Sequence, residues 1–243
     1  MKASWRYLKL LYSRGFALFV LAPVIVALVV VPEFIQHIAE IRLGMFDDIE
    51  TARALANDPT RWAFGYAKLA GTALAMFGAA RFWGVGESGK SWWDLRGIAW
   101  GPLAVALALF LFVPAILDLV RPWLPDWGYW TGYTVISIAT LPLLFSILAA
   151  LFGDRRVGPL GHYWLDFRWL PLLLILLVAA YLPAMAVHYG LHRLALGAPM
   201  LAVWPLMAVD SLVVGLLCSL VGAALHLSYV AARGERDAGS AQA

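Results

Sequence analysis

Six long apolar stretches, near 15–36, 63–82, 98–120, 130–152, 169–190 and 201–222, constrain this chain more than any other feature. Each approaches or exceeds the roughly 20 residues that a helix needs to cross a bilayer. Inside lipid, every backbone N–H and C=O must find its partner within the segment, so such stretches fold as α-helices. The expected fold is all-α. It is a polytopic integral membrane protein with six transmembrane helices in one bundle, spanning residues 1–232. Composition agrees, with 63% hydrophobic and only 14% charged residues, against about 25% charged in soluble domains. A soluble fold of this size has nowhere to hide so much apolar surface.

The basic residues between the stretches give an orientation. Lys2, Arg6, Lys9, Arg14, Arg81, Lys90, Arg96, Arg155, Arg156, Arg168, Arg233 and Arg236 fall on one side, twelve in all. The other side and its span ends hold six: Arg42, Arg53, Arg61, Lys68, Arg121 and Arg193. Positive charge gathers on the cytoplasmic side of a membrane, so both termini are expected in the cytoplasm. An even number of spans requires the same. The bias explains the net charge of +3 without an acidic partner, and no basic stripe of a nucleic-acid binder is present. Arginine outnumbers lysine and Asn57 is the sole asparagine, a composition that suits a bacterial inner-membrane protein. The charged start before Gly15–Val31 resembles a signal peptide, but the apolar run is long and no small-residue cleavage site follows. A retained first helix is expected. Cys218 is the single cysteine, which removes internal disulfides and thiol metal motifs.

The longest outer segment, 37–61, reads Asp47-Asp48-Ile49-Glu50 and ends in Asn57-Asp58-Pro59. A capping carboxylate followed by a helix-stopping proline predicts a short surface helix over about 47–57. Residues 233–243 are polar and small, and are expected to form a disordered cytoplasmic tail. Trp92-Trp93-Asp94-Leu95-Arg96 precedes the third stretch and Trp164-Leu165-Asp166-Phe167-Arg168 precedes the fifth. Both fit Trp-x-Asp-x-Arg, each is followed by two prolines twelve residues apart (Pro102 and Pro114, Pro171 and Pro183), and they suggest three repeated helical hairpins.

Polar residues inside the apolar stretches carry whatever chemistry the chain has. Asp210 lies within the sixth stretch, where a charge costs roughly 2.5–3.5 kcal/mol on insertion scales. It needs a partner, and Lys68 is the expected one. Glu33, His37 and Glu40 share one helical face at the end of the first stretch. His188 and His192 form an i, i+4 pair at the same membrane side. These five residues are candidates for an outer metal or proton site. A haem between His37 and His188 is an alternative. No other cofactor is implied. Gly84–Ser91 fits Gly-x-x-x-x-Gly-Lys-Ser in spacing, but a membrane helix precedes it where a phosphate-binding loop needs a buried strand, so no nucleotide is expected. No Ser-His-Asp or Cys-His arrangement is legible, and nothing marks an enzyme. The first functional expectation is therefore a non-catalytic accessory, assembly or scaffold component whose partners are the bilayer, other membrane proteins or further copies of itself. The alternative is a small proton- or cation-coupled transporter using Asp210.

Overall fold

The computed structural model describes residues 2–86, 89, 91–155, 158 and 160–240. Glu87, Ser88 and Lys90 of the glycine-rich string, and Arg156, lie outside the described residues. Helix is the only regular structure among those described. The helices are α1 (Lys2–Leu21), α2 (Pro23–Arg42), α3 (Ile49–Ala54), α4 (Pro59–Gly86), α5 (Trp100–Val120), α6 (Asp126–Thr140), α7 (Leu143–Phe152), α8 (Gly161–Leu165), α9 (Leu170–Ala195) and α10 (Met200–Ser240). Five stretches are long and apolar enough to cross a membrane: Pro23–Arg42, Trp100–Trp123, Asp126–Phe152, Phe167–Ala195 and Met200–Glu235. They mark a helical membrane protein. The stretch expected at 63–82 lies within α4, which carries Arg61, Lys68 and Arg81 and is not among the five.

Several boundaries depart from expectation for local reasons. The stretch 15–36 is not one helix. Ala22 takes φ −147° and ψ 61° ahead of Pro23, because a proline ring disfavours helical geometry in the residue before it. The stretch 130–152 breaks at Leu141-Pro142, between α6 and α7. The surface helix is shorter than 47–57, running from Ile49 to Ala54. Its cap is Asp48 rather than Asp47, with Oδ1 accepting from the backbone N–H groups of Glu50 and Thr51. Asp58-Pro59 starts α4: Asp58 Oδ1 accepts from Thr60 and Arg61 backbone N–H groups. Residues 233–240, expected as a disordered tail, continue α10, and 241–243 lie outside the described residues.

The chain divides into two compact units, residues 1–82 with 175–224, and residues 83–174 with 225–243. In the first, small residues bring backbones close, as membrane helices do in the absence of a hydrophobic drive between them. A Cβ on Gly71 of α4 would collide with the Leu28 carbonyl of α2, and one on Gly222 of α10 with Ala79 and Met76 of α4. Val29, Ala75 and Cys218 fill the space where α2, α4 and α10 meet. Gly44, at φ +77°, ends α2 in a left-handed turn in which Met45 N–H reaches back to the Glu40 carbonyl. That turn returns the chain so that Phe46 joins Ile41, Ala195, Val203 and Met207 in a second apolar cluster.

In the second unit α5 packs against α6 and α7, with Leu103 and Ala106 buried. Phe145, Ile147 and Leu148 of α7 are buried as well, and Ala99 N–H donates to the Ala150 carbonyl at 2.9 Å. Leu111, Phe112, Ile116 and Leu119 of α5 stay exposed, a face suited to lipid. Asp118 accepts a 2.7 Å hydrogen bond from Tyr129, whose ring lies 4.7 Å from the Arg121 guanidinium carbon.

Candidate functional site: a buried His and carboxylate cluster

In α2, Glu33, Gln36, His37 and Glu40 recur at helical spacing and present one face. All four are buried in a helix whose other residues are mostly apolar. Burial of that many polar groups requires partners, and α4 supplies two. Lys68 Nζ lies 3.4 Å from Glu33, and Arg61 Nε donates to Glu40 Oε1 at 2.9 Å. The step from Glu33 up to Glu40 on α2 equals the step from Lys68 down to Arg61 on α4. Two antiparallel helices thus match charge against charge at a seven-residue interval, two turns on each side. Gln36 Nε2 donates to Glu40 Oε1 as well, at 3.0 Å.

His37 sits between carboxylates. Its Nδ1 is 2.9 Å from Glu40 Oε2, and its Nε2 is 3.0 Å from Asp210 Oδ2 and 3.4 Å from Glu33 Oε1. Asp210, on α10, is fully buried and gathers two further imidazoles from α9. His188 Nδ1 lies 2.8 Å from Asp210 Oδ1, and His192 Nε2 lies 3.3 Å from Oδ2. The i, i+4 spacing puts both α9 rings on one face, 4.6 Å apart between centroids. Phe46, returned by the Gly44 turn, lies 5.9 Å from the His192 ring. One ring nitrogen each of His37 and His192 and one carboxylate oxygen of Asp210 fall within 4.8 Å of one another.

The cluster is closed on most sides and open on one. Glu33, His37, Glu40 and Asp210 are buried, whereas the His192 side chain is 31% exposed. A cavity of about 120 Å³ lined by Glu40, Met45, Phe46, Ala52, Arg61, His192 and Leu196 adjoins it.

Two groups expected to be separate are therefore one. Glu33, His37, Glu40, His188, His192 and Asp210 form a connected set. The expected Asp210–Lys68 pair is not formed: Lys68 meets Glu33, and Asp210 meets three histidines. Arg61 and Gln36 were missed as members. The signal for Arg61 was present, since Arg61 and Lys68 repeat the seven-residue interval of Glu33 and Glu40 in an adjacent antiparallel helix.

The second unit holds a different polar cluster. His162 on α8 is buried, and its Nδ1 lies 2.9 Å from Asp166 Oδ2. Tyr229 of α10 donates to Asp154 Oδ2 at 2.9 Å, and the Phe152 ring packs edge-on against Tyr229.

No protein family, no curated protein and no solved structure matches this chain.

Proposed function

We propose that this chain is a small membrane carrier or receptor for a cation, which binds at Asp210 among the three histidines. The observation that carries the reading is the convergence of His37, His188 and His192 on one buried carboxylate. An ionised carboxylate only accepts hydrogen bonds. His37 faces a carboxylate at each ring nitrogen, so the arrangement calls for one positive charge between Nε2 and Asp210, supplied by a proton on the ring or by a bound cation. Charge balance supports the same conclusion. With carboxylates ionised and imidazoles neutral, Glu33, Glu40 and Asp210 outnumber Arg61 and Lys68 by one. Unbalanced charge inside a membrane protein is costly and marks ion pathways by default.

The reading includes a topology. α4 serves as the sixth span, its Arg61 and Lys68 neutralised by α2. The basic side faces the cytoplasm of a bacterial inner membrane, with both termini there. That orientation opens the site toward the outer side. The Trp-x-Asp-x-Arg strings at 92–96 and 164–168 begin two of three hairpins in this scheme.

Thermal unfolding of the purified full chain in lipid nanodiscs tests the reading, with Na⁺, K⁺, Mg²⁺, Zn²⁺ and acid added in turn. A ligand at one hundred times its Kd stabilises by about 2.7 kcal/mol. At least one cation is expected to raise the Tm of the wild type and not that of Asp210→Asn. Equal responses in both, or none in either, would remove the cation site and return the chain to the accessory-component reading. A co-purifying membrane protein would then be the finding to pursue. A Soret band in the purified protein would instead mark haem.

A further inference from the structure

We infer that the cation is a divalent first-row transition metal of the zinc class, held by His37 Nε2, His192 Nε2 and a carboxylate oxygen of Asp210. The inference rests on the cation reading above and names its ligand. Three properties of the site favour such an ion over an alkali or alkaline-earth cation.

The first is donor type. Imidazole nitrogens with one carboxylate suit Zn²⁺, Co²⁺ and Ni²⁺, whereas Mg²⁺ and Ca²⁺ take all-oxygen shells. Nitrogen donors form the majority here, and His188 Nδ1, 2.9 Å from Asp210 Oδ2, stands ready as a fourth. The second is donor spacing. His37 Nε2 and His192 Nε2 lie 3.0 and 3.3 Å from the same Asp210 oxygen. Ligands about 2.0–2.2 Å from a tetrahedral zinc stand little further apart than that. Small rotamer adjustments admit the ion without moving a helix.

The third is how His37 is held. Its Nδ1 faces Glu40 Oε2, and Glu40 is itself fixed by Arg61 and Gln36. Metal-bound histidines commonly donate their other N–H to a carboxylate, which sets ring orientation and tautomer. Nε2 is then the free ligand, directed at Asp210. Glu33 adds a buried oxygen, Oε2, that makes no hydrogen bond and has Lys68 Nζ 3.4 Å away. The cavity beside His192 provides an access route, which a metal site needs as much as its ligands. Glu40 is a positioning residue in this scheme, and His37, His192 and Asp210 are ligands.

The test is a Co²⁺ titration of the untagged, chelator-stripped full chain in nanodiscs, read by visible absorption, with Zn²⁺ competition and metal analysis for stoichiometry. One ion per chain is expected, with the d–d bands of a nitrogen and oxygen site. His192→Ala, at the most exposed ligand and so the change least harmful to folding, should lose the bands or weaken binding at least tenfold. Glu40→Gln should weaken binding 10- to 100-fold while leaving the bands in place, a split that loss of fold would not produce. Binding that is equally tight in wild type and His192→Ala would place the metal elsewhere and overturn the inference. If Co²⁺ and Zn²⁺ do not bind while Na⁺, K⁺ or acid still stabilises the wild type and not Asp210→Asn, the metal falls and the cation reading stands. If no cation acts, both fall.

Discussion

The cluster around Asp210 and the cluster around His162 are built from the same residue types and differ in where the partners come from. His162 meets a carboxylate four residues along its own chain, so this contact forms within one local segment. Asp210 meets no neighbour of its own helix. It gathers rings from α2 and α9, and its setting exists only once three helices have packed. A local pair stabilises the loop that holds it. A convergent set concentrates several donors on one point, and that is what binding an ion requires. Access differs too: His162 and Asp166 are buried, while His192 borders a cavity.

Removing each carboxylate in turn should affect the two clusters unequally. Asp210→Ala takes the shared acceptor from three rings and should cost about 1–3 kcal/mol for each buried group left unsatisfied, read by denaturant unfolding in detergent. Asp166→Ala removes the i, i+4 partner of a single ring, His162, and a smaller loss of about 1–3 kcal/mol is expected. Equal losses would erase the distinction. Convergence also depends on close helix approach. Gly71→Ala should cost about 1–3 kcal/mol through overpacking against the Leu28 carbonyl, outweighing the roughly 1 kcal/mol that alanine gains in a helix. Gly190→Ala, where a Cβ meets nothing within 4 Å, should not destabilise. In the second unit Tyr229→Phe removes the bond to Asp154 and should cost about 1 kcal/mol. The smallest effect belongs to Asp48. The Thr51 backbone N–H and hydroxyl, with the Glu50 N–H, hold its carboxyl below the usual range. A depressed pKa stabilises the folded state above the unfolded value, and that contribution fades as pH falls through the folded one. The protection of the α3 amides, relative to their intrinsic exchange rates, should therefore fall in acid, and Asp48→Ala should show the lower protection already at neutral pH.

Much of this molecule could be read before its structure. Long apolar stretches leave no alternative to helices, and the four without an internal break, 63–82, 98–120, 169–190 and 201–222, each correspond to a single helix. The breaks at Ala22 and Leu141 follow from Pro23 and Pro142, yet many prolines inside spans, including Pro32 and Pro183, leave their helices intact. Each half of the site was legible as a helical face: Glu33, His37 and Glu40 on one, His188 and His192 on another. Their union with Asp210 was not, because spacing says nothing about which faces meet. The mistaken Lys68 partnership has the same origin. Opposite charge suggested Asp210, whereas the antiparallel seven-residue step joins Lys68 to Glu33.

Three histidines share one carboxylate in this site. Imidazole ¹⁵N NMR of the full chain, comparing wild type with Asp210→Asn, tests it most directly. Swapping the carboxylate for an amide should move the resonances of His37, His188 and His192 together and leave His162 in place. Movement of only one of the three, or of none, would contradict the account.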